Sequence, residues 1–70
     1  MANVLQRQRD LTGARETYEQ ALTIAREMGN RRRTAACLNN LASILSAQGD
    51  RAGAVAMYEE SIAIKEEIGD

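Results

Sequence analysis

Histidine and proline are missing from this 70-residue chain, phenylalanine and tryptophan are missing too, and cysteine occurs once. Each gap excludes something. Without histidine there is no side chain that ordinarily titrates near neutral pH, and Cys37 has no partner to activate it, so nucleophilic catalysis and the common zinc sites drop out. A single cysteine also rules out a disulfide within one subunit. Proline breaks helix interiors and marks many loops, so its absence favours long helices. There is no Gly-rich phosphate loop, and no apolar run long enough to cross a bilayer or to serve as an export signal. No cofactor, no membrane and a cytoplasmic location are the expectations that follow.

What remains is a helix-former's palette of alanine, leucine, isoleucine and methionine, with two tyrosines as the aromatics. A net charge of −1 conceals two unlike ends. Residues 1–33 carry seven arginines against Asp10, Glu16, Glu19 and Glu27, whereas residues 52–70 carry Glu59, Glu60, Glu66, Glu67 and Asp70 against Lys65. The basic end suits an anionic partner such as nucleic acid. The asymmetry equally suits two copies meeting basic end to acidic end, with Arg7, Arg9 or Arg15 approaching Glu59, Glu60 or Glu66.

Residues 53–69 repeat residues 13–29. Tyr58 answers Tyr18, Ala54 answers Ala14, Ile64 answers Ile24 and Glu67 answers Glu27, each 40 residues further on. A fixed period of that size marks stacked helical repeats. At the same offset Met1-Ala2-Asn3-Val4-Leu5 aligns with Leu41-Ala42-Ser43-Ile44-Leu45, so residues 1–9 read as the last turns of a helix whose start is missing. Asp10 then stands as the N-cap of a second helix over 11–28, with Tyr18, Ala21, Leu22 and Ala25 on one stripe. Gly29-Asn30 ends it, because glycine takes the left-handed conformation that closes a helix. The pattern predicts a third helix over 31–48, carrying Leu38, Leu41, Ala42 and Leu45, then Gly49-Asp50 as a second stop and cap, then a fourth helix over 51–68. Turns this short force neighbouring helices to lie antiparallel. The expected fold is all-α, a single segment over 1–70 made of antiparallel helix-turn-helix units stacked as an α-solenoid. It divides into a truncated repeat, 1–30, of a half helix plus a second helix, and a complete repeat, 31–70, about one and three quarter repeats in all.

Leu38-x-x-Leu41-Ala42-x-x-Leu45 followed by Ala54-x-x-x-Tyr58-x-x-Ser61, together with Met1-Ala2-x-x-Leu5 followed by Ala14-x-x-x-Tyr18-x-x-Ala21, resembles the tetratricopeptide repeat. Leucine replaces the aromatics of the family's first helix, its closing proline is absent, and the period is 40 where the common form has 34. The longer period is similar to the long-helix variety found in kinesin light chains and in many bacterial multi-repeat regulatory proteins. The resemblance implies a non-catalytic scaffold for protein–protein interaction. Small Ala2, Ala14, Ala42 and Ala54 let backbones approach, with Leu5, Tyr18, Ala21, Leu38, Leu41, Leu45, Tyr58 and Ile62 filling the space between helices.

In that family the partner-binding groove is lined by polar positions of each first helix, here Asn3, Gln6, Arg7, Asn39, Asn40, Ser43 and Ser46. Asparagine both donates and accepts, which suits a peptide backbone. Asn3 and Asn40 match two asparagines of the subgroup that clamps a carboxylate tail, but the basic residues of that clamp have no counterparts. Small repeat segments normally need at least three repeats, so a chain with uncovered end helices is expected to self-associate as a homo-oligomer or to bind a protein or peptide. The alternative is a basic-ended adaptor that touches nucleic acid through Arg7, Arg9, Arg31, Arg32 and Arg33. Against it, no aromatics are interleaved to stack on bases. Cys37, among Ala35, Ala36 and Leu38, reads as a small buried residue, and Glu59-Glu60 and Glu66-Glu67 as solvated acids that diverge on the helix surface.

Overall fold

The computed structural model describes residues 3–69, with side chains from residue 10 onward. The described residues form three helices and no strand: α1, Asn3–Met28, α2, Arg31–Ala47, and α3, Arg51–Glu67. α2 lies in the middle and packs against both of the others. The assembly is elongated, 45 × 22 × 16 Å, because α1 runs on past the hairpin formed by its partners.

The two corners are chemically the same. Gly29 and Gly49 hold φ of 69° and 89°, left-handed values that cost any residue with a Cβ about 1–2 kcal/mol. At the first corner Asn30 N–H donates to the Ala25 carbonyl (3.0 Å) and Gly29 N–H to the Arg26 carbonyl (3.1 Å). At the second, Asp50 N–H donates to the Leu45 carbonyl (2.8 Å) and Gly49 N–H to the Ser46 carbonyl (3.0 Å). This is the Schellman closure, which satisfies the last carbonyls of a helix. The residue that closes one helix also opens the next: Asn30 Oδ1 accepts from Arg33 N–H and Asp50 Oδ1 from Gly53 N–H, each at 3.0 Å. Two residues therefore suffice to reverse the chain.

The break expected ahead of Asp10 does not occur. α1 is continuous from Asn3 to Met28, so the half helix and the second helix foreseen for residues 1–30 are one element. The cause is visible at the 40-residue offset, where Arg9 stands in place of Gly49. Among the described residues no non-glycine adopts positive φ, and Arg9 is helical like its neighbours. An aspartate that could cap is present, but the glycine that would let the preceding helix close is not.

Gly13 and Gly53 record the difference. A Cβ on Gly13 would meet nothing within 4 Å, whereas one on Gly53 would lie 2.6 Å from Asp50 Oδ2. Gly13 is simply a glycine inside a helix, a position that costs roughly 0.5–1 kcal/mol relative to alanine. Gly13→Ala is expected to raise the melting temperature by a few degrees, while Gly53→Ala is expected to leave it unchanged or lower it, because the gain in helix propensity is offset by displacement of the cap. Equal shifts for both variants would show that Asp50 contributes no cap.

The core lies where the three helices meet. Leu22 of α1, Ala35, Cys37, Leu38 and Leu41 of α2 and Ile64 of α3 form one buried cluster, with Tyr18, Ala21 and Met57 packed against it. Ala42, Leu45 and Ala54 form a second cluster beside the α2–α3 corner. Alanines on the α2–α3 contact let the backbones approach, and Ser61, itself buried, donates to the Ala35 carbonyl across that contact at 3.0 Å. No buried side-chain oxygen or nitrogen among the described residues lacks a partner.

Candidate functional site

No cluster of reactive side chains is assembled among the described residues. Among the described residues no group of three metal-ligating side chains converges, and no helix is long and apolar enough to cross a membrane. Cys37 is buried. The paired acids diverge as neighbours on a helix must. Glu60 turns toward α1 and meets Arg26 at 2.7 Å, and Glu67 turns toward the start of α2 and meets Arg31, while Glu59 and Glu66 stand exposed on α3.

These ion pairs line a hollow of about 400 Å³ between the first corner and α3, bounded by Arg26, Gly29, Arg31, Thr34, Glu60 and Glu67 among others. Both pairs are half exposed, so each is worth at most about 1 kcal/mol. They bear on the nucleic-acid alternative, since Arg31, the first arginine of the triplet at the start of α2, faces a carboxylate. Arg31 is engaged by Glu67, and the Arg33 amide is taken up by the Asn30 cap. A phosphate approaching there would meet mixed charge. Arg15 likewise pairs along its own helix with Glu19, at 3.6 Å, and reaches Gln48 at 3.5 Å. The side chains of Arg7 and Arg9 lie outside the described residues.

The polar residues of α2 fall where solvent reaches them. Asn39, Asn40, Ser43 and Ser46 are exposed along one flank, and Asn3, Gln6 and Arg7 belong to the part of α1 whose side chains are outside the description. Asn39 and Asn40 border a second hollow of about 280 Å³, shared with Arg32, Ala35, Ala36, Lys65 and Ile68. Ser43 Oγ lies 3.1 Å from Tyr58 Oη, a contact between α2 and α3 that no periodicity could announce because it joins two helices.

Packing residues divide by which neighbour each helix has. Leu38, Leu41, Ala42, Leu45 and Ala54 are buried, and Ala14, Tyr18 and Ala21 are half-buried. The side chains of Ala2 and Leu5 are among those not described. Ile62, expected among the packing residues, is 54% exposed, and Tyr58 is 37% exposed. The offset explains this. Leu22 and Ala25, the counterparts of Ile62 and Lys65, are buried in the α1–α2 contact, at 7% and 0%. On α3 no helix among the described residues covers the same positions, and Val55 lies open beside them. The converse holds on α1. Ile24 and Met28 are exposed there, while their counterparts Ile64 and Ile68 are buried and half-buried. Each copy of this helix thus shows the contact that the other lacks.

A sequence profile described as tetratricopeptide repeat matches residues 1–67. Neither a curated protein nor a solved structure matches the chain.

Proposed function

Because this chain belongs to the tetratricopeptide-repeat family, whose repeats generally mediate protein–protein interaction, we propose that it is a non-catalytic scaffold that binds its partners through uncovered helix faces. One observation carries the reading. Tyr58 and Ile62 lie open at positions whose counterparts, Tyr18 and Leu22, pack into a cluster with Cys37, Leu38 and Leu41. The α1–α2 contact supports an amphipathic helix as the partner of the open face, for α2 is such a helix and covers the equivalent positions of α1.

A synthetic peptide of residues 31–48 reproduces such a helix and serves as the probe. It is expected to bind the chain, and Ile62→Glu is expected to abolish binding while leaving the melt unchanged, since exposed positions shift stability within about 0.5 kcal/mol. Leu22→Glu at the equivalent covered position should instead unfold the chain, because a buried unpaired carboxylate costs several kcal/mol. Peptide binding that ignores Ile62→Glu, or no binding at all, would remove the proposal.

A second reading is favoured by the hollow beside Asn39 and Asn40. An extended peptide laid along the polar flank of α2 would find two amides and the cations Arg32 and Lys65 within one crevice. Lys65 borders this crevice and also belongs to the open face of α3, so the two modes overlap. In that case a library of unstructured acidic peptides, rather than the helical one, loses binding on combined Asn39→Ala and Asn40→Ala.

A further inference from the structure

We infer that the open face of α3 is a homodimer interface, on which α3 of a second copy lies antiparallel. The inference rests on the helix-face reading above and names its partner. Arg51, Val55, Tyr58, Ile62 and Lys65 follow one another at spacings of four, three, four and three, so they fall on one narrow stripe of an α-helix, the seam of a two-stranded coil. All five are exposed. Val55 and Ile62 are β-branched and hence stiff, and the Tyr58 ring is tethered through its hydroxyl to Ser43. The apolar part of the face therefore loses little side-chain freedom on being covered.

Its charges fix the direction. Arg51 begins the stripe and Glu66 flanks its end, both exposed and neither joined to the other along the helix. A two-fold axis passing beside Tyr58 sets Val55 against Ile62 of the second copy and Arg51 against Glu66, twice over by symmetry. Parallel alignment would instead set Arg51 against Arg51 and Lys65 against Lys65. The antiparallel pair also opposes the two helix dipoles favourably. Glu59 lies toward the rim of this arrangement, near its own counterpart, a like-charge contact in water that subtracts from the affinity. Each side of the pair offers three apolar side chains, a patch at the small end of specific interfaces, so half-dimerisation is expected at roughly 10–100 µM.

Sedimentation equilibrium of the whole chain over low micromolar to millimolar concentrations tests the pairing. The parent chain is expected to pass from monomer to dimer. Ile62→Glu should remain monomeric with an unchanged circular-dichroism melt. Arg51→Glu should weaken the dimer roughly tenfold, and adding Glu66→Arg to it should restore at least half of that loss. Orientation is read from oxidative cross-linking in a Cys37→Ala background: Val55→Cys is expected to couple to Ile62→Cys when the two variants are mixed, and faster than to itself. A monomer throughout, a dimer that survives Ile62→Glu, or preferential self-coupling of Val55→Cys would each overturn the inference. Should the 31–48 peptide bind in an Ile62-dependent manner to a chain that stays monomeric, the inference falls and the scaffold reading stands.

Discussion

Leu38→Ala is expected to leave the chain largely unfolded at room temperature. Leu38 is wholly inaccessible and sits in the cluster to which α1, α2 and α3 all contribute, through Leu22, Leu41 and Ile64. Removing a buried leucine side chain costs roughly 2–5 kcal/mol, from lost transfer energy and the cavity left behind. Domains have about 0.05–0.15 kcal/mol of stability per residue, which for this length amounts to roughly 4–10 kcal/mol, and small domains fall toward the low end. The loss is therefore comparable with the whole. Val55→Ala removes apolar atoms from a side chain that is already 53% exposed, and should move the urea midpoint little. Similar midpoints for the two variants would mean that the three helices do not share a core at Leu38.

Gly49→Arg is the second large effect. It places at the α2–α3 corner the residue that Arg9 supplies at the equivalent point of α1, where the helix runs straight on. The left-handed φ of 89° then costs about 1–2 kcal/mol, and the two closing bonds from Gly49 and Asp50 to Ser46 and Leu45 are lost if the residue escapes that strain by becoming helical. α3 would leave α2, taking the Ser61 bond to Ala35 and the Ala54 contact with it. The expected readout is loss of the cooperative melt together with a larger hydrodynamic radius at nearly unchanged helix content. The reciprocal Arg9→Gly should shorten α1, seen as faster amide exchange around residues 8–11. If Gly49→Arg melted like the parent, the straightness of α1 at Arg9 would need another cause.

Much of the fold was legible because the signals were local. Gly29-Asn30 and Gly49-Asp50 carry both the stop of one helix and the start of the next, and helices expected over 31–48 and 51–68 occur as Arg31–Ala47 and Arg51–Glu67. The misreading at Asp10 came from weighing the cap above the residue before it. An aspartate can cap only a helix that another residue has allowed to end, and Arg9 does not allow it. Periodicity placed Ile62 on an apolar stripe, but a stripe says only that a side chain can pack, not whether its neighbour is present. Contacts that depend on two helices at once, such as Ser43 with Tyr58 and Arg26 with Glu60, left no trace in the spacing of either.

The middle helix has a consequence for how this protein fails. Residues 34–48 contain no aspartate, glutamate, lysine or arginine, and α2 is kept from water largely by the charge-bearing helices on either side. Once heat loosens those flanks, the buried side of this uncharged stretch, with Ala35, Leu38, Leu41, Ala42, Ile44 and Leu45, is bared with no like charge to hold separate chains apart. Clumping then outruns refolding, so the apparent melting point should drift with heating rate and cooled samples should turn cloudy.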